Sequence, residues 1–237
     1  MGVATGDAMQ SGLKIMITGG TGMVGEGVML ACLEDPAVEQ VLLVSRRTAG
    51  AQHAKLRECL VPDFLQVEAA ADQLSGYDAC FFCAGVSSVG KSEAEYTRIT
   101  YDTTLHFAEV VARLNPGMVF TYVSGEGTDS TEKGRSMWAR VKGRTENALM
   151  RVGFRAAYAF RPGLMEAMPG QRHLPWMYKA IAWIVPLVRP LLPSHACTLR
   201  EVGQAMVQCV VAGYPKTVIE VRDIRALART ARPGAPR

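Results

Sequence analysis

The segment Thr18-Gly19-Gly20-Thr21-Gly22-Met23-Val24-Gly25 places glycines at 19, 22 and 25, between the apolar run Leu13 to Thr18 and a stretch with helical spacing, Met23 to Glu34. That spacing meets three mechanical needs of a strand-to-helix junction. One glycine makes the tight turn out of the strand, one leaves no Cβ where a pyrophosphate approaches, and one lets the helix pack closely on the strand. The start of the helix then presents free N–H groups and the positive end of its dipole to the phosphates. The ligand expected on Thr18 through Gly25 is therefore a dinucleotide. A glycine-rich turn without a ligand is the competing reading, and the strand before it and helix after it weigh against that.

Which dinucleotide is bound depends on the end of the second strand, where an acidic residue would hold a ribose 2′-hydroxyl and a basic one a 2′-phosphate. This chain has Ser45-Arg46-Arg47 there. Asp35 precedes Pro36 ahead of the strand and so belongs at the opposite edge of the sheet. One charge-assisted contact from arginine to phosphate contributes about 1.5 to 3 kcal/mol, roughly a tenfold to hundredfold preference. NADPH is expected over NADH, with a solvated arginine pair as the alternative.

The elements that must position these residues alternate along the chain. Strands are expected at Leu13 to Thr18, Gln40 to Ser45, Leu65 to Ala69, Ala79 to Ala84, Met118 to Ser124, Arg155 to Phe160 and Thr217 to Val221. Long helical patterns surround Glu93 to Leu114 and Ser136 to Val152. Alternation of this kind implies an α/β fold, a doubly wound parallel sheet of Rossmann type, covered on both faces. Residues 1–11 read as a loose leader, 12–228 as a single domain, and 229–237 as a flexible basic tail. A small helical lid on the substrate side is expected over about 165–198, where Pro175, Pro186, Pro190 and Pro193 punctuate an apolar segment.

Composition narrows the function classes. The formal charge of +4 is matched by Arg225, Arg229, Arg232 and Arg237 near the C-terminus, so the body carries no clustered basic field and nucleic acid is not an expected partner. Four of the six cysteines lie in apolar runs, which suits a reducing compartment. No secretion signal and no stretch long enough to span a bilayer is visible, so a cytoplasmic protein is expected. Cys80 and Cys83 form a C-x-x-C on a strand, where residues three apart face opposite ways, and no metal site is expected.

These motifs resemble the atypical short-chain dehydrogenase/reductases, particularly the oxidoreductase Tat-interacting-protein group and NAD-dependent epimerase/dehydratase-like proteins. The likeness spans roughly Leu13 to Leu227. It rests on T-G-x-x-G-x-x-G at Thr18, S-R-R at Ser45, Cys83-Ala84-Gly85 with Gly90-Lys91, V-S-G-E-G at Val123, V-K-G at Val141, R-P-G at Arg161 and E-V-R-D-I at Glu220. The resemblance implies cofactor contacts at Cys83, Ala84 and Gly85, and contacts of the backbone at Pro162 and Gly163 with the nicotinamide amide. It also implies a serine that orients the substrate carbonyl, a tyrosine that moves the proton, and a lysine four residues later that tunes the tyrosine and holds the nicotinamide ribose.

Ser124 and Lys142 match the serine and the lysine. The tyrosine position is Trp138, whose indole N–H does not ionise in the useful range. Losing a general acid costs on the order of 10² to 10⁴ in rate. Tyr122, two residues before Ser124, is the candidate replacement, and Tyr101, beside the substituted helix position Thr100, is another. Packing roles for both remain open. His106, within the long fourth helix, reads as a packing or surface residue.

Trp176, Met177, Tyr178, Ile181 and Trp183 are expected in the lid. They suit a small apolar substrate, and equally core or a dimer surface. Lys179 and Arg189 beside the tryptophans allow peripheral membrane contact, the least favoured option. A monomer or homodimer is expected. Two functions follow: an NADPH-dependent oxidoreductase or epimerase-like enzyme on a carbonyl or hydroxyl of a small, rather apolar compound, or a non-catalytic NADP(H)-binding regulator acting through a protein partner.

Overall fold

A computed structural model describes residues 12–175, Tyr178 and 194–231. The leader, half of the expected lid (Trp176, Met177, Lys179, Ile181, Trp183 and Arg189 among it) and residues 232–237 lie outside the described residues. Seven parallel strands form one sheet in the order β3-β2-β1-β4-β5-β6-β9. They are β1 (Leu13–Thr18), β2 (Val38–Ser45), β3 (Leu56–Leu60), β4 (Ala79–Phe82), β5 (Val119–Val123), β6 (Ala156–Arg161) and β9 (Val218–Glu220). A separate parallel pair joins β7 (Leu164–Glu166) to β8 (Ala196–Thr198). The helices are α1 (Met23–Glu34), α2 (Glu93–Thr97), α3 (Thr103–Leu114), α4 (Met137–Leu149), α5 (Leu199–Val211) and α6 (Val221–Thr230).

The expected doubly wound sheet is therefore the observed architecture. Every residue of β1 except Lys14 is buried, because helices cover both faces of this central strand. On one face Ile15, Ile17 and Leu43 pack with Val28, Met29, Val202, Met206 and Ile224 of α1, α5 and α6. On the other, Met16, Leu42 and Phe82 pack with Phe64, Phe107, Val111 and Leu149. The second layer is aromatic, with Phe64 and Phe107 stacked at 5.2 Å. Cys80 belongs to this layer and Cys83 packs against the first, so the two thiols do face opposite ways.

Two sequence expectations need correction. The segment expected as a strand at Leu65 to Ala69 lies in 3-10 turns over Phe64–Gln73, broken at Gln66 and capped by the Asp63 carboxylate on the Leu65 amide. The third strand is instead β3, at the sheet edge, where Arg57, Glu58 and Leu60 face solvent and only Leu56 and Cys59 are buried. An edge strand with so few buried positions carries little alternation to read. Helices α5 and α6 were not expected. Thr198 and Glu201 form a reciprocal capping box at the start of α5, Thr198 Oγ1 accepting the Glu201 amide at 3.0 Å and Glu201 accepting the Thr198 amide at 2.7 Å.

Candidate functional site

The first turn is built as its glycines require. Gly19 adopts φ +74°, and a Cβ there would come within 2.7 Å of the Ala84 amide nitrogen. A Cβ at Gly25 would meet the Gly19 carbonyl oxygen at 2.2 Å, so the helix lies hard against the turn. Around Gly22 the space is open apart from a 3.4 Å approach to the Gly19 oxygen, and the Gly22 N-cap makes no side-chain bond. The first N–H groups of α1, from Met23, Val24 and Gly25, thus have no intrahelical partner. Thr18 is buried and its hydroxyl accepts from the amides of Cys83 and Ala84 at 3.1 Å each, clamping the ends of β1 and β4 together. Gly20 packs on Leu43.

A cleft of about 490 Å³ opens at the carboxyl edge of the sheet above this turn. Gly19, Thr21, Gly22, Ser45, Arg46, Arg47, Cys83, Ala84 and Gly85 line it, so the structure brings together the residues singled out at three separate strand ends. The Ser45 hydroxyl donates to the Arg47 carbonyl at 2.6 Å and shapes the bend after β2. Asp63, Phe64, Ile99, Thr103 and Thr104 also line the cleft, and sequence reasoning missed them. Ile99 is delivered by a π-helical turn, Arg98–Asp102, between α2 and α3, and Thr103 and Thr104 by the first turn of α3. Thr100 is buried in the π-helical turn.

Beyond β4 the expected catalytic residues have partners that change their reading. The Ser124 hydroxyl donates to Glu146 Oε1 at 2.5 Å and approaches the Phe160 carbonyl at 3.2 Å, so it points into the interior. Glu146 is 2% exposed and takes two further bonds from Arg161, Nε to Oε1 at 3.0 Å and Nη2 to Oε2 at 2.5 Å. Burial works against the Arg161 charge, but the bonds and charge of Glu146 outweigh it and hold its pKa above the usual value. Lys142 Nζ rests on the Ser124 carbonyl oxygen. Burial pushes its pKa down to about 8, against the attraction of Glu146.

Tyr122 needs correction as a replacement acid. It is 3% exposed, packs 6.2 Å from Phe82 in the aromatic layer, and its phenol pKa is raised by burial. A phenol so enclosed has no route to a substrate. Tyr101 lies under the Arg144 guanidinium at 4.2 Å, while His106 pairs with Glu68 at 3.2 Å on the surface. Trp138 sits beside Gly127, where a Cβ would be 3.5 Å from its ring.

Pro162 and Gly163 form the turn after β6. The Pro162 carbonyl accepts the Glu126 amide at 3.0 Å, which draws the loop after β5 against this turn. The Leu164 amide donates to the His195 carbonyl at 2.8 Å, and His195 Nδ1 contacts Glu126 Oε1. Glu126 stands in the V-S-G-E-G run without an assigned role, and its pairing with His195, 69 positions away, has no signal in the sequence. Buried Glu26 of α1 accepts the amides of Arg172 and His173 at 2.8 Å each, tying this part of the expected lid to that helix.

The model of the NAD dependent epimerase/dehydratase family matches residues 15–133, half of the chain. The chain belongs to that family. Among its relatives, "Protein fmp52, mitochondrial" of Emericella nidulans is 29% identical over 166 residues, covering 67% of this chain and 68% of that protein. "Leucinostatins biosynthesis cluster protein T" of Purpureocillium lilacinum is 26% identical over 234 residues, covering 84% and 86%. Among solved structures, Bordetella bronchiseptica WbmF in complex with NAD+ aligns with a TM-score of 0.62 at 18% identity, over 94% of this chain and 78% of that one. Helicobacter pylori ADP-L-glycero-D-manno-heptose-6-epimerase aligns with a TM-score of 0.64 at 15% identity, over 95% and 83%. At such identities the structural likeness concerns the fold.

In this epimerase/dehydratase family member the residues suited to a dinucleotide are those of the turn and cleft. A cradle that a Cβ at 19 or 25 would fill, free amides at the helix start and arginines at the β2 end match an anionic, phosphate-bearing molecule. Among the described residues no helix is long and apolar enough to cross a membrane.

Proposed function

We propose that this protein binds NADP(H) in preference to NAD(H) and acts as an oxidoreductase on a carbonyl or hydroxyl of a small, rather apolar compound. The observation that carries the cofactor choice is the cleft wall after β2, where Arg46 and Arg47 stand together. Neither makes an ion pair with another described residue. Both are exposed, so both are available to a 2′-phosphate. Gly19, Thr21 and Gly22 would receive the pyrophosphate. Pro162 and Gly163 offer backbone groups to the nicotinamide amide, and Lys142 offers an ammonium to its ribose. Bound there, the coenzyme supplies or accepts a hydride. An apolar substrate is supported by Met23 and Met168, which pack with partly buried Leu174 and Tyr178 beside the helix start. The relative named for a biosynthesis cluster is in keeping with a small-molecule substrate.

The test of cofactor choice is Arg46→Ala. Loss of a charged hydrogen bond to phosphate weakens NADPH binding roughly tenfold or more and leaves NADH binding nearly unchanged. Equal loss for both would remove the basis for NADP. A second reading, a cofactor-binding regulator without turnover, is favoured by Trp138 at the tyrosine position and by the inward-facing Ser124 hydroxyl. Screening carbonyl compounds by NADPH absorbance with the native protein and Trp138→Tyr separates the two. Native turnover supports the enzyme; turnover only in the substituted protein supports the regulator.

A further inference from the structure

We propose that His195, oriented by Glu126, is the proton donor and acceptor of this site. This deepens the reading above and rests on it. Three segments remote in sequence converge on the pair. Glu126 lies in the loop after β5, held by its amide on the Pro162 carbonyl at 3.0 Å. His195 lies just ahead of β8, held by its carbonyl on the Leu164 amide at 2.8 Å. Gly163 lies between them: a Cβ there would come within 2.2 Å of the His195 oxygen and 2.4 Å of Glu126 Oε2. Any side chain at 163 would force the two apart.

The pair stands outside the walls of the cleft and is tied to it by the order of the strand ends. Phe82 of β4 pairs with Tyr122 of β5, so Cys83 to Gly85 on the cleft wall and Ser124 to Glu126 leave adjacent strands, about 4.8 Å apart, at the same edge of the sheet. Gly19 to Gly22 and Arg46 would hold the phosphates and one end of a dinucleotide, leaving its other half to the strand ends beyond β1. Among the other candidates, Trp138 does not ionise in the useful range, Tyr122 is enclosed in core, the Tyr101 ring stacks under Arg144, and Lys142 rests on the Ser124 carbonyl while its remaining N–H donors serve the ribose.

Histidine is the side chain whose charge changes near neutral pH. The His195 side chain is 61% exposed, its Nδ1 is occupied by Glu126, and no described group bonds its Nε2. Glu126 thereby fixes the ring and leaves Nε2 as the working nitrogen. In the reducing direction His195 would give its Nε2 proton to the carbonyl oxygen, the bound coenzyme supplying the hydride to the carbon. The carbonyl π pair moves to oxygen, a hydroxyl forms, and the neutral ring regains a proton from solvent. Oxidation runs the same path backwards.

The test combines location with kinetics. The ring resonances of His195, identified by their loss in His195→Gln, are followed by NMR with saturating NADP+ and, separately, with adenosine 2′,5′-bisphosphate, which lacks the nicotinamide half. They move with the dinucleotide and stay in place with the fragment. On a carbonyl substrate found by screening, His195→Gln lowers kcat by about 10² to 10⁴ and keeps NADPH affinity within about twofold. Glu126→Gln lowers kcat with little change in KM, and Glu126→Asp recovers part of the loss.

Equal movement with both ligands, no movement with saturating NADP+, or a kcat in His195→Gln within threefold of native overturns the role of His195 and leaves the oxidoreductase reading standing. Absence of saturable coenzyme binding, or of native turnover across the screen, overturns both.

Discussion

Replacing Arg161 by methionine exposes what the buried ion pair behind the candidate site contributes. Its guanidinium is 11% exposed and its partner Glu146 is 2% exposed, with two direct bonds between them. Arg161→Met removes both bonds, together with the contacts of Arg161 to Ser130 and Glu220, and leaves a buried carboxylate with the Ser124 hydroxyl as its remaining hydrogen-bond donor. Breaking one side of a buried pair costs about 3 to 5 kcal/mol, since the remaining charge keeps its desolvation penalty without its counter-ion. For a domain of this size each kcal/mol corresponds to about 2 to 4 °C, so Tm falls by about 10 °C. Urea unfolding at neutral pH and thermal melts give the two figures. In the double variant Arg161→Met with Glu146→Leu both charges are gone, and most of the loss returns as a coupling of at least about 2 kcal/mol. A loss below about 1 kcal/mol in the single variant, or additive losses in the double, would refute the reasoning.

Other expectations concern the turn and the buried lysine. Gly25→Ala puts a methyl 2.2 Å from the Gly19 oxygen, whereas Gly85→Ala meets no atom within 4 Å. The first should cost about 1 to 3 kcal/mol and weaken NADPH binding more than tenfold. The second should leave stability within about 0.5 kcal/mol; similar melts for the two would count against the tight cradle. Lys142 loses its proton near pH 8 in the folded protein, below the ordinary lysine range in the unfolded chain. Between those values the unfolded chain binds more protons, so this group's contribution to stability rises with pH. Lys142→Met should therefore gain more over native at pH 7 than at pH 9.5 in paired urea titrations, and an equal difference at both would contradict the burial of its charge.

Much of the scaffold was legible because its signals are local. Leu13 to Thr18 is a continuous apolar run flanked by glycines, and Met23 to Glu34 has helical spacing; both elements form with those bounds. Helix α5 was also available to a reader of Thr198 and Glu201, whose spacing is that of a capping box. Strand β3 was harder, since its exposed edge needs few apolar residues.

Residue types and spacing alone determined the parallel sheet, the glycine turn and the arginines after β2, because backbone sterics and burial on two faces act over a few neighbouring residues. Tertiary structure decided which polar groups meet. It turned Ser124 inward to Glu146, buried Tyr122 among aromatic rings, and brought His195 to Glu126 across a glycine that leaves room for both. Such contacts depend on how strand-end loops fold over one another, and no periodicity along the chain encodes the distance between them.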